Sequence, residues 1–116
     1  MERLNELENA VLQAMCKRFP SDASALEAQI KRVIVQKRDN TGVGFYSKLE
    51  VKGPVDQINE KVMSNIFATI AGLKNPVAFV LFLRNGLVDI LEGATTEDST
   101  VDINFSDVRF EILPNT

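Results

Sequence analysis

The chain has 116 residues, of which 45% are hydrophobic and 25% are charged, and its formal net charge is −3. This length and composition predict a single globular domain over residues 1–116. The sequence has no histidine and only one cysteine, Cys16, which excludes serine–histidine catalysis, histidine zinc sites and thiolate zinc clusters. It also lacks both glycine-rich phosphate-loop patterns. We therefore expect no metal, no cofactor and no catalytic residue, and we favour a protein that is not an enzyme.

The net charge of the chain indicates which partners to expect, and its apolar segments indicate its cellular location. An acidic chain, with a pI of about 4.9, is a poor match for nucleic acid, because phosphate binding depends on clustered Lys and Arg. It is compatible with a basic protein partner. The first residues lack a signal-peptide core, and the longest apolar run, residues 77–83, is too short to cross a bilayer as a helix. We expect a soluble cytoplasmic protein that does not associate with membranes.

Two helices are predicted at the N-terminal end. Apolar residues recur there at three- and four-residue spacing, at Leu4, Leu7, Val11, Ala14, Met15 and Phe19. This stripe predicts a helix over residues 2–19, and Pro20 should end it. Ser24 and Glu27 have the spacing of a capping box, which predicts a second helix from about residue 22 to residue 30. Both helices are expected to pack on a sheet.

The next segments read as strands. Residues 32–37 are rich in β-branched side chains, and residues 43–51 alternate between apolar and polar, so the two should form a hairpin with one wet face. Residues 55–61 are polar and predict a loop. Residues 62–73 fit both a helical stripe and a strand, and periodicity alone leaves the two alternatives open.

The strongest local signal is Asn85-Gly86, which lies between two apolar runs and predicts a tight hairpin turn. A two-residue loop places Arg84 opposite Leu87 and, further along, Phe79 opposite Glu92. Both faces of this hairpin are then mostly apolar, which predicts that the hairpin lies in the middle of the sheet and that other parts of the chain pack on both of its faces. Glu92 falls on the more apolar of the two faces.

The C-terminal part predicts a surface loop over residues 93–100, followed by two alternating sets that slip in phase at Ser106-Asp107. Such a slip indicates a β-bulge or two short strands. The two sets are Val101, Ile103 and Phe105, and then Val108, Phe110 and Ile112. The predicted fold class is therefore α+β, with two N-terminal helices packed on a mostly antiparallel sheet of five or six strands.

Several fragments, taken in order, resemble small uncharacterised bacterial proteins, some of them labelled as immunity proteins of polymorphic toxin systems. The fragments are Thr41-Gly42-Val43-Gly44-Phe45, Ala71-Gly72-Leu73, Phe79-Val80-Leu81-Phe82, Asn85-Gly86 and Leu91-Glu92-Gly93. The resemblance covers roughly residues 41–93. It implies an extended segment over residues 65–73, which favours a strand there, and it implies a toxin-neutralising role. That family often carries Trp-Pro soon after Leu-Glu-Gly, whereas this chain has no tryptophan.

The candidate partner-binding residues are four acids near the loop that follows the central hairpin, namely Glu92, Glu97, Asp98 and Asp102. Such a group could meet a basic cleft and gain association rate and specificity from complementary charge.

Two other readings stay open. In one, the protein is a small-ligand-binding protein or an enzyme that uses Glu92 as an acid, a base or an anchor, although Arg84 and Asp89 face away from it in the expected register. In the other, the strand near Val33 or Val108 forms an exposed edge, and two copies pair across it as a homodimer.

Overall fold

The first helix begins at a side-chain cap on Asn5. The computed structural model describes residues 2–114, and in it α1 spans Glu6–Arg18, a short 3-10 turn spans Pro20–Asp22, and α2 spans Ala23–Ile30. Helix α1 starts later than its apolar stripe predicts, because Asn5 and Glu8 form a reciprocal capping box. The residues before it run as extended chain, and Glu2 pairs with Val35. None of the described helices has the length and hydropathy needed to cross a membrane.

Six antiparallel strands form one sheet in the order β1-β2-β5-β4-β3-β6. Their bounds are Val33–Asn40 for β1, Gly44–Val51 for β2, Val62–Ile70 for β3, Val77–Arg84 for β4, Leu87–Ala94 for β5 and Phe110–Ile112 for β6. The α+β class, the two N-terminal helices and the antiparallel sheet are confirmed. The ambiguous segment after residue 61 is a strand, as the resemblance implies.

The segment 101–105 does not form the strand that its alternation predicts. It runs in turns, because its backbone is held by side chains and loops instead of by a neighbouring strand. Asn40 donates from Nδ2 to the carbonyl oxygens of Thr100 at 2.7 Å and Ile103 at 3.1 Å, and the N–H of Thr100 donates to the carbonyl of Gly42. Phe105 then fills a place in the core.

The central hairpin has the predicted turn but a different register. Asn85 and Gly86 have φ of 54° and 77°, and Leu83 lies opposite Val88 as expected. The pairing then shifts by one residue at Asp89, which forms a bulge in β5, so that Glu92 lies opposite Val80 instead of Phe79. The prediction that placed Glu92 on the more apolar face is therefore wrong.

Packing explains this shift. It turns Leu91, which has no exposed surface, into the core and turns the charged Glu92 out toward solvent. It also places Gly93 beneath two aromatic rings, where a Cβ would lie 2.7 Å from Phe45 and 2.9 Å from Phe79. Only glycine fits between these rings without forcing them apart.

The helices cover one face of the sheet and leave the other open. Helix α1 contacts β3 and β6, and α2 contacts β5; the core lies between these helices and the inward side chains of the strands. The central hairpin is thus in the middle of the sheet, as predicted, but it is covered on one side only. We call the uncovered side the open face.

Candidate functional site

The open face carries an apolar patch over three neighbouring strands. Val62 on β3 lies opposite Phe82 on β4, and Phe82 lies opposite Ile90 on β5. The exposed fractions of Val62, Phe67 and Phe82 are 46%, 43% and 37%. We define the open patch by these side chains and their half-buried neighbours, as Val62, Phe67, Ala78, Val80, Phe82 and Ile90.

This patch follows directly from the sequence of β4, which is apolar at both alternating sets of positions. One set, including Phe79 and Leu81, is buried under the helices, and the other set must point to the open face. An antiparallel sheet with one wet face normally presents polar side chains on that face. Contiguous apolar residues in this position are therefore typical of a surface that contacts another molecule.

Glu92 borders the open patch. It is exposed and lies between Tyr46 of β2 and Val80 of β4 in the register of the sheet. Within residues 2–114 its carboxylate makes no ion pair or side-chain hydrogen bond. The other acid of this strand, Asp89, is paired with Lys48. Glu92 is thus an uncompensated charge beside an apolar surface.

The three other predicted acids lie in the loop after β5. Glu97 and Asp102 are exposed, whereas Asp98 is half-buried and its Oδ2 accepts a hydrogen bond of 2.9 Å from the backbone N–H of Asn75. Asp98 therefore fixes the loop to the turn before β4. Across residues 2–114, no three acidic or cysteine side chains converge closely enough to hold a metal ion.

A buried ion pair, which sequence analysis missed, joins α1 to the sheet. The side chain of Glu8 is completely buried, and that of Arg38 is 21% exposed. Arg38 donates from Nε and Nη2 to the two carboxylate oxygens at 2.9 and 2.8 Å. Ser47 and the backbone N–H of Asn5 donate to the same carboxylate, while Arg38 also reaches Glu2 and the carbonyl of Arg3.

This network is structural. Each oxygen of Glu8 accepts two hydrogen bonds, so the carboxylate has no lone pair left for a ligand. Burial alone would raise the pKa of Glu8, but the hydrogen bonds from Arg38, Ser47 and Asn5, with the charge of Arg38, together hold that pKa below its ordinary value. The adjoining cavity of about 140 Å³ has Phe45 on its wall, and two of the charged groups beside it, Glu8 and Arg38, are paired with each other.

Two further buried polar side chains hold loops in place. Gln29 donates from Nε2 to the carbonyls of Asp56 and Gly86 at 2.9 Å, and its Oε1 accepts from the N–H of Val88. Asp22 accepts from two consecutive backbone N–H groups, of Asn59 and Glu60. Their hydrogen-bonding capacity is used by the fold, which leaves the open face as the candidate site.

Comparison with models of protein families, with curated proteins and with solved structures finds no match to this chain. The likeness to toxin-immunity proteins stays a prediction. The chemistry of the open face therefore carries the functional inference.

Proposed function

We propose that this protein is a protein-binding domain whose partner covers the open patch. The observation that carries the proposal is the exposure of two phenylalanines, Phe67 and Phe82, on a sheet face that the helices leave uncovered. Aromatic side chains, phenylalanine among them, are enriched in protein interfaces relative to the rest of the protein surface. Both residues lie in paired strands of the sheet, which places their side chains before a partner arrives.

The size of the gain is adequate for an interface anchor. Covering the exposed parts of these two rings would remove about 150 Å² from water, which corresponds to about 4 kcal/mol. Association also costs translational freedom and side-chain ordering, so the rings alone do not make a tight complex. They need support from the rest of the open patch and from matched charges at its border.

The toxin-neutralising role implied by the resemblance is one form of this proposal, in which the partner that covers the open patch is a toxin and not a further copy of the chain. A toxin with a basic surface would be attracted by the uncompensated acids, Glu92 on the open face and Glu97 and Asp102 in the loop after β5. The acidic balance of the whole chain supports the same kind of partner.

The alternative function, a small-ligand-binding protein or an enzyme that uses Glu92, requires a concave site around that carboxylate. Glu92 instead stands on an exposed strand between Val80 and Tyr46. No specific observation favours this alternative.

The test is capture of partners from a lysate of the native host by the tagged chain, with mass spectrometry of what remains bound. The informative variant carries Phe67→Ser and Phe82→Ser together. We expect the wild type to retain a stoichiometric protein, which can be the untagged chain itself, and we expect the variant to lose it because the apolar anchor is gone.

A matched control carries Val43→Ser and Val101→Ser, since these valines are 57% and 70% exposed but lie outside the open patch. The control should retain the same protein as the wild type, and circular dichroism should give all three chains the same melting profile. Equal retention by the wild type and by the phenylalanine variant would refute the proposal.

A further inference from the structure

We propose that the part of the open patch around Phe82 is covered by a second copy of this chain, and that two reciprocal ion pairs between Arg84 of one copy and Glu92 of the other fix the register. This inference rests on the proposed function, because it names the partner of the same surface. In this dimer the two sheets stack face to face. The two-fold axis lies in the plane between the sheets, at right angles to the strands and at the level of Phe82.

The positions of the two charged residues suggest this symmetry. Val80, Phe82 and Arg84 alternate along β4 and share the open face, and Glu92 lies opposite Val80 on the neighbouring strand. Arg84 and Glu92 are therefore on either side of Phe82, at levels about 13 Å apart along the strands. A half-turn about Phe82 exchanges these two levels, so each Arg84 of one copy comes to the level of Glu92 of the other.

The lateral offset also fits. Arg84 is on β4 and Glu92 is on β5, and adjacent strands are about 4.8 Å apart. An arginine side chain spans that distance, and the small angle between aligned stacked sheets leaves the pair within reach. The ion pair forms twice, because a two-fold interface repeats every contact between one copy and the other.

Charge compensation favours a second copy. Any partner that covers Val80 also covers Glu92, and a desolvated carboxylate is costly unless a cation pairs with it. On the same face, Lys48 is already paired with Asp89, and Lys37 lies 5.9 Å from the ring centroid of Tyr46. Arg84 is exposed and makes no ion pair within residues 2–114, so this chain carries a cation that a second copy can bring to Glu92.

The part of the open face that this half-turn brings into contact fits a weak, reversible dimer. The molecule measures 39 × 35 × 20 Å, and its thin dimension is what one helix layer on one sheet requires. About the half-turn at Phe82, β1, β2, β4 and β5 continue on both sides of the axis, whereas β3 begins at that level with Val62. The shared footprint is therefore roughly 19 by 20 Å, about half of the roughly 800 Å² per partner of a standard interface. Stacking the two faces about 10 Å apart buries Val62, Val80, Phe82 and Ile90 of both copies.

Pairing across the sheet edge, the other route to a homodimer, is less favoured. At the β1 edge, the backbone of Glu2 already bonds to Val35 in both directions, at 3.2 and 2.6 Å. The opposite edge, β6, is only three residues long. Strand addition would have to displace Glu2 from Val35 at the first edge, and β6 at the other edge offers only three residues.

The experiment is sedimentation equilibrium of the full chain over a wide concentration range, with charge reversal and rescue. We expect the wild type to dimerise. We expect Arg84→Glu or Glu92→Arg alone to weaken the dimer by at least about tenfold in Kd, because each reversal places two like charges opposite each other at both symmetry-related contacts. The double variant with both reversals restores the pair with opposite sign. Its Kd should return to within about threefold of the wild type.

Lys17→Glu, on the exposed surface of α1 away from the sheet, is the matched control and should leave the dimer unchanged. Phe82→Ser should give a monomer with an unchanged circular dichroism spectrum. A wild type that stays monomeric at millimolar concentration would overturn the second-copy inference, as would a dimer that none of the reversals weakens. If the wild type is monomeric but the phenylalanine variant still loses a different captured protein, the proposed function stands and this inference fails.

Discussion

Replacing Glu8 with alanine should lower the free energy of unfolding by about 3 kcal/mol, because the substitution removes the counter-ion of a partly buried arginine. Glu8 has no exposed side-chain surface, and Arg38 directs two of its nitrogens at it. The same change leaves the hydroxyl of Ser47 without an acceptor in a fully buried position.

The magnitude follows from what remains after the substitution. Removing one partner of a buried ion pair costs about 3–5 kcal/mol in general. Arg38 keeps its contact with Glu2 and is 21% exposed, so the cost should lie at the lower end of that range. At roughly 4 °C for each kcal/mol in a domain of this size, the melting temperature should fall by about 12 °C.

Urea unfolding followed by far-ultraviolet circular dichroism measures this loss. Glu6→Ala is the matched control, since Glu6 is exposed in the same helical turn and its loss should cost no more than about 0.5 kcal/mol. A cycle of Glu8→Gln, Arg38→Met and the double variant isolates the coupling between the two side chains. A Glu8→Ala variant within about 1 kcal/mol of the wild type would refute the reasoning from this network.

The same pair predicts a pH dependence. The pKa of Glu8 in the folded protein is held below the ordinary value of 4.5. The unfolded chain therefore binds the proton more readily, and the contribution of Glu8 to stability is fully present above pH 4.5 and is lost as the pH falls through the lowered folded pKa. Urea midpoints measured from neutral pH down to strongly acidic pH should fall less steeply for Glu8→Gln than for the wild type; parallel curves would contradict the assignment.

Three further substitutions or reactions test the packing. Gln29→Leu should cost about 2–3 kcal/mol in urea unfolding, because it leaves the N–H of Val88 and the carbonyl of Asp56 without the partner that Gln29 provides; a cost below about 0.5 kcal/mol would contradict the contact. Gly93→Ala should lower the free energy of unfolding by about 1–3 kcal/mol in the same assay, since the added methyl group meets two phenylalanine rings. An unchanged free energy of unfolding would contradict the close packing of these rings on Gly93. Burial raises the pKa of Cys16 to about 11, so a thiol reagent at pH 8 should label it only after denaturant unfolds the chain; rapid labelling of the native protein would refute its burial.

Local signals predicted the parts of the fold that depend on neighbours in sequence. The turn at Asn85-Gly86 requires positive φ at both residues, and these residue types supply it. Pro20 interrupts the helical pattern where α1 gives way to the 3-10 turn. The start of α1 was also readable, because Asn5 and Glu8 have the spacing of a capping box, although the longer apolar stripe suggested an earlier start.

The site depended on contacts that are distant in sequence. Arg38 and Ser47 meet Glu8 from 30 and 39 residues away, and nothing in the local pattern pairs them. The bulge at Asp89 has a similar origin. It is favoured because Gly93 must pass between Phe45 and Phe79, and Phe45 belongs to a strand whose position beside β5 is not evident from the hairpin alone.

That single bulge determines the chemistry of the open face. A slip of one residue turns every following side chain of a strand to the opposite face. Without the bulge Glu92 would point toward the helices and Leu91 would join the open patch, which would then be apolar with no carboxylate beside Val80. With the bulge, Leu91 completes the core and Glu92 stands beside the patch at a different strand level from Arg84. The insertion that satisfies the core thus also supplies the charge that would select the partner of the open face.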